Sequence, residues 1–294
     1  MTWLSGLTGL LLLVLVLALG VLGMAAFGSR RWAADTDALQ RKLDAARLDD
    51  KAQAPPPTRY SVHELEGLPA PVQRYFRAAL QDGQAIIAAA TLTLEGRFNM
   101  SATGQQWKPF DSRQHVVTRR PGFIWDARVA LFPGVVVRVV DSYIAGQGLL
   151  RAALLGLFTV ADQRGGGEIA RGELMRYFAE AAWVPTALLP SQGVRWEAVD
   201  AHSAHATMTD GELTLTLLFS FNKDGLIESA RAKARGATVG KETLMLPWEG
   251  RWSDYRPHDG MRVPMKGEAA WLHPQDRRPY FVGHVTSLSY QFMP

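Results

Sequence analysis

The sequence predicts an α+β protein, mainly β, in which one N-terminal membrane helix precedes a single folded domain. Three observations lead to this prediction. Residues 1–29 contain no charged side chain. After residue 193, apolar stretches are separated by short turns, which favours antiparallel strands. Helical periodicity is confined to a few segments, and nothing follows the strand–helix–strand rhythm of a parallel sheet.

The first element is the apolar segment Leu4–Phe27. As a helix it spans about 36 Å, more than the roughly 30 Å of a bilayer's hydrocarbon core. A cleaved signal peptide is the competing interpretation. However, residues 2–9 carry no Lys or Arg, and Gly23-Met24-Ala25 fits a cleavage site poorly. We therefore predict an uncleaved, single-pass transmembrane anchor.

The second element joins this anchor to the domain. We predict that Asp35–Lys51 forms a charged juxtamembrane helix that lifts the domain off the bilayer. Ala54–Pro57 then forms a stiff, extended spacer. The predicted boundaries are 1–29 for the transmembrane anchor, 30–57 for the juxtamembrane helix and Pro-rich linker, and 58–294 for the β-rich soluble domain.

Two helices are predicted inside the domain. One runs through Pro71–Leu80 and ends before Gly83. The other, Glu168–Ala182, has apolar residues at helical spacing and ends before Pro185. The run Gly165–Gly167 before it is predicted to be a hinge or a tight turn, because no phosphate-loop pattern surrounds it.

The predicted strands are rich in β-branched and aromatic residues. They are Ala90–Met100, His115–Arg119, Phe123–Leu131, Val135–Tyr143, Val194–Val199, Ala204–Met208, Leu213–Phe221, Ile227–Arg235, Thr238–Leu246, Arg262–Trp271 and Tyr280–Phe292. Asp210-Gly211 and Asp224-Gly225 are predicted hairpin turns, because both pairs tolerate positive φ.

Composition excludes several classes of site. The chain has no cysteine, which excludes disulfides, thiolate metal sites and cysteine nucleophiles. Its 25 arginines are scattered rather than aligned, so the net charge of +4 is interpreted as solvated side chains and no nucleic-acid partner is predicted. His202 and His205 would point to opposite faces of a strand, and no cofactor motif is present, so we predict no metal and no cofactor.

Two patterns suggest chemistry. Glu173, Arg176 and Glu180 share one face of the second predicted helix, beside Tyr177. They could act as a general acid/base pair or an anion site, and the alternative is an exposed Arg176–Glu180 pair with Glu173 in solvent. Seven tryptophans lie in the domain, where they could line an apolar pocket or serve as ordinary core residues.

Several motifs together resemble a family of uncharacterised bacterial membrane-anchored proteins, classed as a domain of unknown function. They are Leu68–Phe76, Phe123–Arg128, Asp141–Tyr143 with Gly146 and Gly148, Arg176–Pro190, and Pro247–Gly250. The resemblance runs in order from about Leu68 to the end of the chain. Phe178 departs from it, because the family usually has Leu there.

The resemblance implies a fold similar to that of the lipoprotein carriers: a curved antiparallel sheet, or half-barrel, with helices packed on its concave side. Proteins of this shape often hold acyl chains, which is an analogy of fold alone. Together with the tryptophans and the helix face, it suggests a set of candidate ligand-binding residues. They are Trp107, Trp125, Arg128, Asp141, Arg176, Tyr177, Glu180, Trp183 and Trp248.

Three functions compete at this stage. The first is a membrane-anchored module that binds a lipid or other apolar ligand in the bacterial envelope. The second is an enzyme that uses the Glu173/Arg176/Glu180 helix face in a cleft, and the third is an envelope scaffold whose protein partners are unknown. The predicted location is the bacterial inner (plasma) membrane. The side stays open, because Arg30 and Arg31 favour a cytoplasmic domain whereas the analogy favours the periplasm.

Overall fold

A computed structural model describes residues 2–48, 57–101, 104–239 and 242–294. Its helices are α1 (Thr2–Leu48), α2 (Ala70–Ala79) and α3 (Gly167–Glu180), with 3-10 turns at Val62–Leu65, Ala181–Trp183, Pro185–Leu188 and Pro190–Gln192. Its strands are β1 (Ile87–Asn99), β2 (Trp107–Val117), β3 (Gly122–Phe132), β4 (Val135–Ile144), β5 (Gln147–Leu154), β6 (Phe158–Gly165), β7 (Arg195–Ala198), β8 (Ser203–Asp210), β9 (Leu213–Phe221), β10 (Ile227–Val239), β11 (Glu242–His258), β12 (Met261–Leu272) and β13 (Arg277–Phe292).

The strands form one antiparallel sheet of 13 strands. Its order is β6-β5-β4-β3-β2-β1-β13-β12-β11-β10-β9-β8-β7, so two meanders join where β1 pairs with β13. The sheet does not close, and β6 and β7 are its two edges. The predicted fold class is therefore confirmed. Strands β5 and β6 lie where the sequence analysis predicted no strand.

Helix α3 connects the two edges across the concave side of the sheet. It contacts β4 and β5 in one meander and β9 and β10 in the other, so the sheet curves around it. Phe178 of α3 packs edge-on against Phe219 of β9, with ring centroids 5.7 Å apart. Before α3, Gly165 and Gly167 have φ values of 118° and 64°, which only glycine adopts without strain, so the predicted tight turn is present.

Antiparallel pairing sends the turns alternately to two ends of the sheet. One end, here called the anchor end, holds the β3–β4, β5–β6 and β12–β13 turns together with the last residues of β1. The far end holds the β2–β3, β4–β5, β7–β8 and β11–β12 turns together with the last residues of β13.

Helix α1 continues without interruption from the apolar segment onto the back of the sheet. Trp32 and Leu43 are each 1% exposed, and they pack with Ile124 of β3 and Val140 of β4. The Trp32 indole donates to Asp126 Oδ1 at 2.9 Å. The juxtamembrane helix therefore docks on the domain instead of lifting it away, because its apolar side fits a small apolar patch on the sheet.

The apolar part of α1 is long and apolar enough to cross a membrane. It is also exposed: Leu11, Leu15 and Leu22 are each more than half exposed. Most of the predicted Pro-rich linker, residues 49–56, lies outside the described residues.

Candidate functional site

Five charged side chains meet between α3 and the concave face of the sheet. We call Asp141, Glu173, Arg176, Glu180 and Arg235 the concave cluster. Arg176 is its centre. Its Nη1 donates to Asp141 Oδ2 at 2.6 Å and its Nε donates to Glu180 Oε1 at 2.8 Å. Gln114 of β2 completes this half by donating to Glu180 Oε2 at 2.7 Å.

Local structure explains why these groups meet. Positions 173, 176 and 180 recur at one to two helical turns, so α3 presents all three toward the sheet. Asp141 of β4 pairs with Trp125 of β3, so both side chains project from the same concave face. The Arg176 guanidinium therefore lies over the Trp125 ring, 4.7 Å from its centroid.

Arg235 forms the other half of the cluster. Its Nη2 lies 3.9 Å from Glu173 Oε1, and its guanidinium lies 4.9 Å from the Trp248 ring and 6.0 Å from the Trp271 ring. The β10–β11 pairing shifts register between Ala232 and Arg235. Without this shift, the alternate positions 231, 233 and 235 would share one face of the strand. Because of it, Arg231 and Lys233 are exposed whereas Arg235 is buried.

The cluster holds more carboxyl groups than guanidinium groups, and burial decides where a proton sits. Burial, followed by the charge of Asp141, raises the pKa of Glu173 to about 8. Burial also raises the pKa of Asp141, against the opposing effect of Arg176. For the Arg176 guanidinium, burial acts to lower the pKa, but Glu180 and Asp141 outweigh it and raise the value. Burial therefore favours the protonated form of Glu173, and one proton among the three carboxyl groups would balance the two guanidinium charges.

Three buried polar atoms of this region find no hydrogen-bond partner among the residues the structure describes. They are Asp141 Oδ1, Glu173 Oε2 and Trp125 Nε1. The space beside Gln114, Tyr177 and Glu180 measures about 10 Å³, which is room for about one water molecule. The concave cluster is therefore a closely packed layer of polar groups between α3 and the rings of Trp125, Trp248 and Trp271.

The predicted ligand-binding residues divide into two groups. Trp125, Asp141, Arg176 and Glu180 lie together as described, and Trp248 lies with Arg235. Tyr177 is buried on α3, and Trp183 follows the helix and donates its indole N–H to the Pro264 carbonyl at 2.9 Å.

Trp107 and Arg128 lie elsewhere. Trp107 begins β2 at the anchor end, under Arg97, where its indole donates to Gln105. Arg128 shares the face of Asp126, to which α1 docks, and it pairs with Asp111 at 4.0 Å in solvent. Strand alternation separates both residues from the concave cluster.

Sequence reasoning missed Arg235, Gln114 and Trp271 as members of the site. Arg235 follows Arg231 and Lys233 at alternate positions, a pattern that predicts a solvated strand face. The register shift between Ala232 and Arg235 turns Arg235 to the buried face instead. The sequence before Arg235 contains no recognisable signal for this shift. Trp271 could have been found from the strand pairing, because it lies opposite Trp248.

A second group of buried charge lies on the other face of the same sheet. Glu249, next to Trp248 in β11, is fully buried and accepts from Arg231 Nε at 2.6 Å and Arg277 Nε at 2.6 Å, with Arg251 Nε 2.7 Å away. Arg277 also pairs with Glu268. We call these five residues the Glu249 cluster. Burial acts to raise the pKa of Glu249, but the hydrogen bonds from Arg277 and Arg231 lower it below its ordinary value.

Comparisons with known proteins place the chain among uncharacterised relatives. Curated proteins include no match. A LolA-superfamily protein of Nitrosomonas europaea is 11% identical, with 74% of this chain and 93% of that chain aligned at a TM-score of 0.32. A β-barrel-like DUF1849 protein of Brucella abortus is 9% identical, with 70% and 99% aligned at a TM-score of 0.23. Both similarities are too low to transfer a ligand or an activity.

A sequence model of the family of unknown function DUF6920 matches residues 66–290, which covers the domain from just before α2 to the last strand. The resemblance predicted from the motifs is confirmed by this match. The chain belongs to the DUF6920 family.

Proposed function

We propose that this protein is a single-pass, membrane-anchored module that binds a lipid or another apolar ligand on the concave face of its sheet, beneath α3. The observation that supports this most directly is the aromatic wall under the helix. Phe123, Trp125, Trp248 and Trp271 line it, and the guanidinium groups of Arg176 and Arg235 lie over those rings. Apolar pockets with a few polar groups are the usual form of a ligand site.

Access to this wall requires α3 to move. The glycines that precede α3 allow a change of direction, and Gly166 at the helix start makes no side-chain cap. Polar contacts hold the helix closed: Arg176 to Asp141 and Arg171 Nη1 to the Ala234 carbonyl at 3.1 Å. Apolar packing holds it as well, since Leu174, Met175 and Phe178 are buried, so an apolar ligand on the aromatic wall has to replace both kinds of contact.

The anchor gives the proposal its location. Helix α1 is rigidly docked on the back of the sheet, so the domain stays next to the bilayer from which a lipid would come. The opposite side of the sheet, which faces α3, remains free of α1.

The geometry favours binding over catalysis. An enzyme of the type considered above needs Glu173 and Glu180 to converge on a cleft that a substrate can enter. Instead, Glu180 pairs with Arg176 and Gln114, Glu173 lies beside Arg235, and the adjoining space holds about one water.

Native mass spectrometry of the full-length protein, released gently from its membrane, tests the proposal. We expect lipid adducts on the wild-type chain and a marked loss of them in Trp125→Ala. Trp107→Ala is the matched control, since it removes a tryptophan of the same sheet outside the concave face. Equal adducts in both variants, or none on the wild-type protein, would reject the proposed site.

A further inference from the structure

The exposed apolar side chains of the sheet are distributed unevenly. Outside α1, eight large apolar residues in the described ranges are exposed. Four lie at or next to the anchor end, namely Met100, Phe132, Phe158 and Val160. Val199 and Phe292 lie at the far end, and Leu244 and Met245 lie near Gly236 and the start of α3. Exposed apolar residues that cluster at one end of a sheet indicate a surface that contacts something other than water.

The contacts between α1 and the sheet fix the position of the anchor end relative to the apolar part of α1. Leu43 lies against Gly122 at the far end, and Gly28 lies against Leu155 at the anchor end. The fifteen helical steps from Gly28 to Leu43 cover about 22 Å. The apolar part of α1, which precedes Gly28, therefore projects beyond the anchor end of the sheet.

The β3–β4 turn reaches past Gly28 in the same direction. Leu155 N donates to the Val136 carbonyl, and Val136 pairs with Ala130. Phe132 is two residues further along β3, or about 7 Å. Along α1 the same distance reaches back four to five residues, into the apolar segment. Phe132, 68% exposed, therefore lies beside the part of α1 that a bilayer would cover.

The contact between α1 and the β5–β6 turn is too close to allow a gap. A Cβ atom on Gly28 would lie 2.1 Å from the Leu155 carbonyl oxygen and 2.8 Å from Leu157 Cγ. Helix and turn therefore touch at the last residues of the apolar segment. Phe158, 54% exposed, follows directly in the same turn.

Cations accompany these apolar tips. Lys108 Nζ lies 5.2 Å from the centre of the Phe132 ring, and Arg138 Nη2 donates to Ser29 Oγ at 3.0 Å, beside Arg30 and Arg31. In a membrane interface, apolar side chains enter the acyl layer and basic groups lie at the phosphate layer above it. The positions of Phe132, Lys108 and Arg138 fit this arrangement.

We propose that the anchor end of the sheet is itself seated in the bilayer that α1 crosses, with Phe132 and Phe158 at the acyl boundary and Lys108 and Arg138 at the level of the lipid phosphates. The proposal rests on the proposed function only in taking α1 as a membrane span. It orients the domain with its strands directed toward the membrane surface.

The absence of cysteine allows a direct test. Single variants Phe132→Cys and Phe158→Cys of the full-length chain are spin-labelled in nanodiscs of phosphatidylcholine and phosphatidylglycerol. Collision with oxygen, which concentrates in lipid, is compared with collision with a water-soluble nickel chelate. Val199→Cys and Phe292→Cys are matched controls at the far end, and Leu15→Cys reports on α1.

We expect the oxygen-to-nickel ratio at 132 and 158 to exceed that at 199 and 292 severalfold and to approach the ratio at position 15. Ratios at 132 and 158 equal to the controls, with position 15 in lipid, would overturn this inference and leave the anchor intact. A water-like ratio at 15 would overturn the anchor as well. Low collision rates with both reagents at positions 132 and 158 would mean that protein covers these side chains, which also contradicts the proposal.

Discussion

The concave cluster and the Glu249 cluster bury charge in opposite ways. Under α3, the carboxyl groups of Asp141, Glu173 and Glu180 outnumber the two guanidinium groups, and the pKa of Glu173 rises to about 8. On the other face, three arginines surround Glu249 and its pKa falls below its ordinary value. Burial acts to raise the pKa of both acids, and the difference teaches that only the acid with several arginine partners keeps its charge against that effect.

The two clusters also differ in what they connect. The Glu249 cluster joins strands β10, β11, β12 and β13 within the sheet, so it belongs to the permanent framework. The concave cluster joins α3 to the sheet, so under the proposed function the same kind of interaction helps to hold the helix over the aromatic wall. A carboxyl group that titrates near pH 8 makes that attachment sensitive to pH.

Arg176→Met should have the largest effect. The substitution leaves Asp141 and Glu180 buried without their shared cation, and such losses typically cost about 3–5 kcal/mol. In the variant, protonation of Asp141 or Glu180 would remove a buried charge and so reduce the loss of stability. We expect the free energy of unfolding of the full chain in detergent, measured with urea, to fall by about this amount at pH 8 and by less at pH 5. An equal loss at both pH values would show that Arg176 acts through packing alone.

Glu249→Gln should have a smaller effect. Removal of the charge leaves three arginines facing each other, but Arg231 and Arg251 are about half exposed and can turn toward water. We expect a loss of roughly 1–3 kcal/mol at neutral pH, measured by urea unfolding. The lowered pKa means that Glu249 stabilises the wild-type fold above its ordinary pKa, and that this stability disappears as pH falls through the folded value. The variant should therefore lose acid sensitivity, and a variant as acid-sensitive as the wild type would contradict this assignment.

Glu173→Gln should have the smallest effect, with the opposite dependence on pH. A folded pKa of about 8, above the ordinary 4.5, means that stability from the protonated group is complete below about pH 4.5. It is lost as pH rises through about 8. Glutamine imitates the protonated form. We expect equal stability at pH 4.5 and a variant more stable by about 1 kcal/mol or more at pH 9, because replacing a buried charge is often stabilising.

Glu180→Gln is the matched control for this titration, since it changes a carboxyl group of the same helix that Arg176 and Gln114 already engage. It should weaken the fold at every pH from 5 to 9. If Glu180→Gln, rather than Glu173→Gln, removes the alkaline loss of stability, the proton has been assigned to the wrong residue.

Much of the architecture could be predicted because it depends on local patterns. The apolar N-terminal helix, both domain helices and the Asp-Gly turns follow from residue spacing, and Gly211 and Gly225 do have positive φ. Strands β5 and β6 escaped prediction, because their small and mixed residues, as in Leu149–Ala153, carry little β signal. The docking of α1 escaped it because a few apolar residues, such as Trp32, do not reveal which surface receives them.

The site was predicted in part for the same reason. Helical spacing placed Arg176 and Glu180 on one face, and the motifs added Trp125 and Asp141. Spacing could not show that this face is buried, nor that a register shift turns Arg235 inward, because both depend on contacts between distant segments. Trp107 and Arg128 were grouped with the site by residue type alone, and strand alternation separates them from it.

Hydrogen exchange of α3 tests the central claim most directly. Amide exchange of residues 167–180 is measured in the full-length protein with and without oleate, a simple acyl ligand, and β1 serves as an internal reference. If the aromatic wall binds acyl chains beneath α3, oleate should accelerate exchange in α3 and leave β1 unchanged, and Trp125→Ala should abolish the response. Unchanged protection of α3 in the presence of bound oleate would contradict the account.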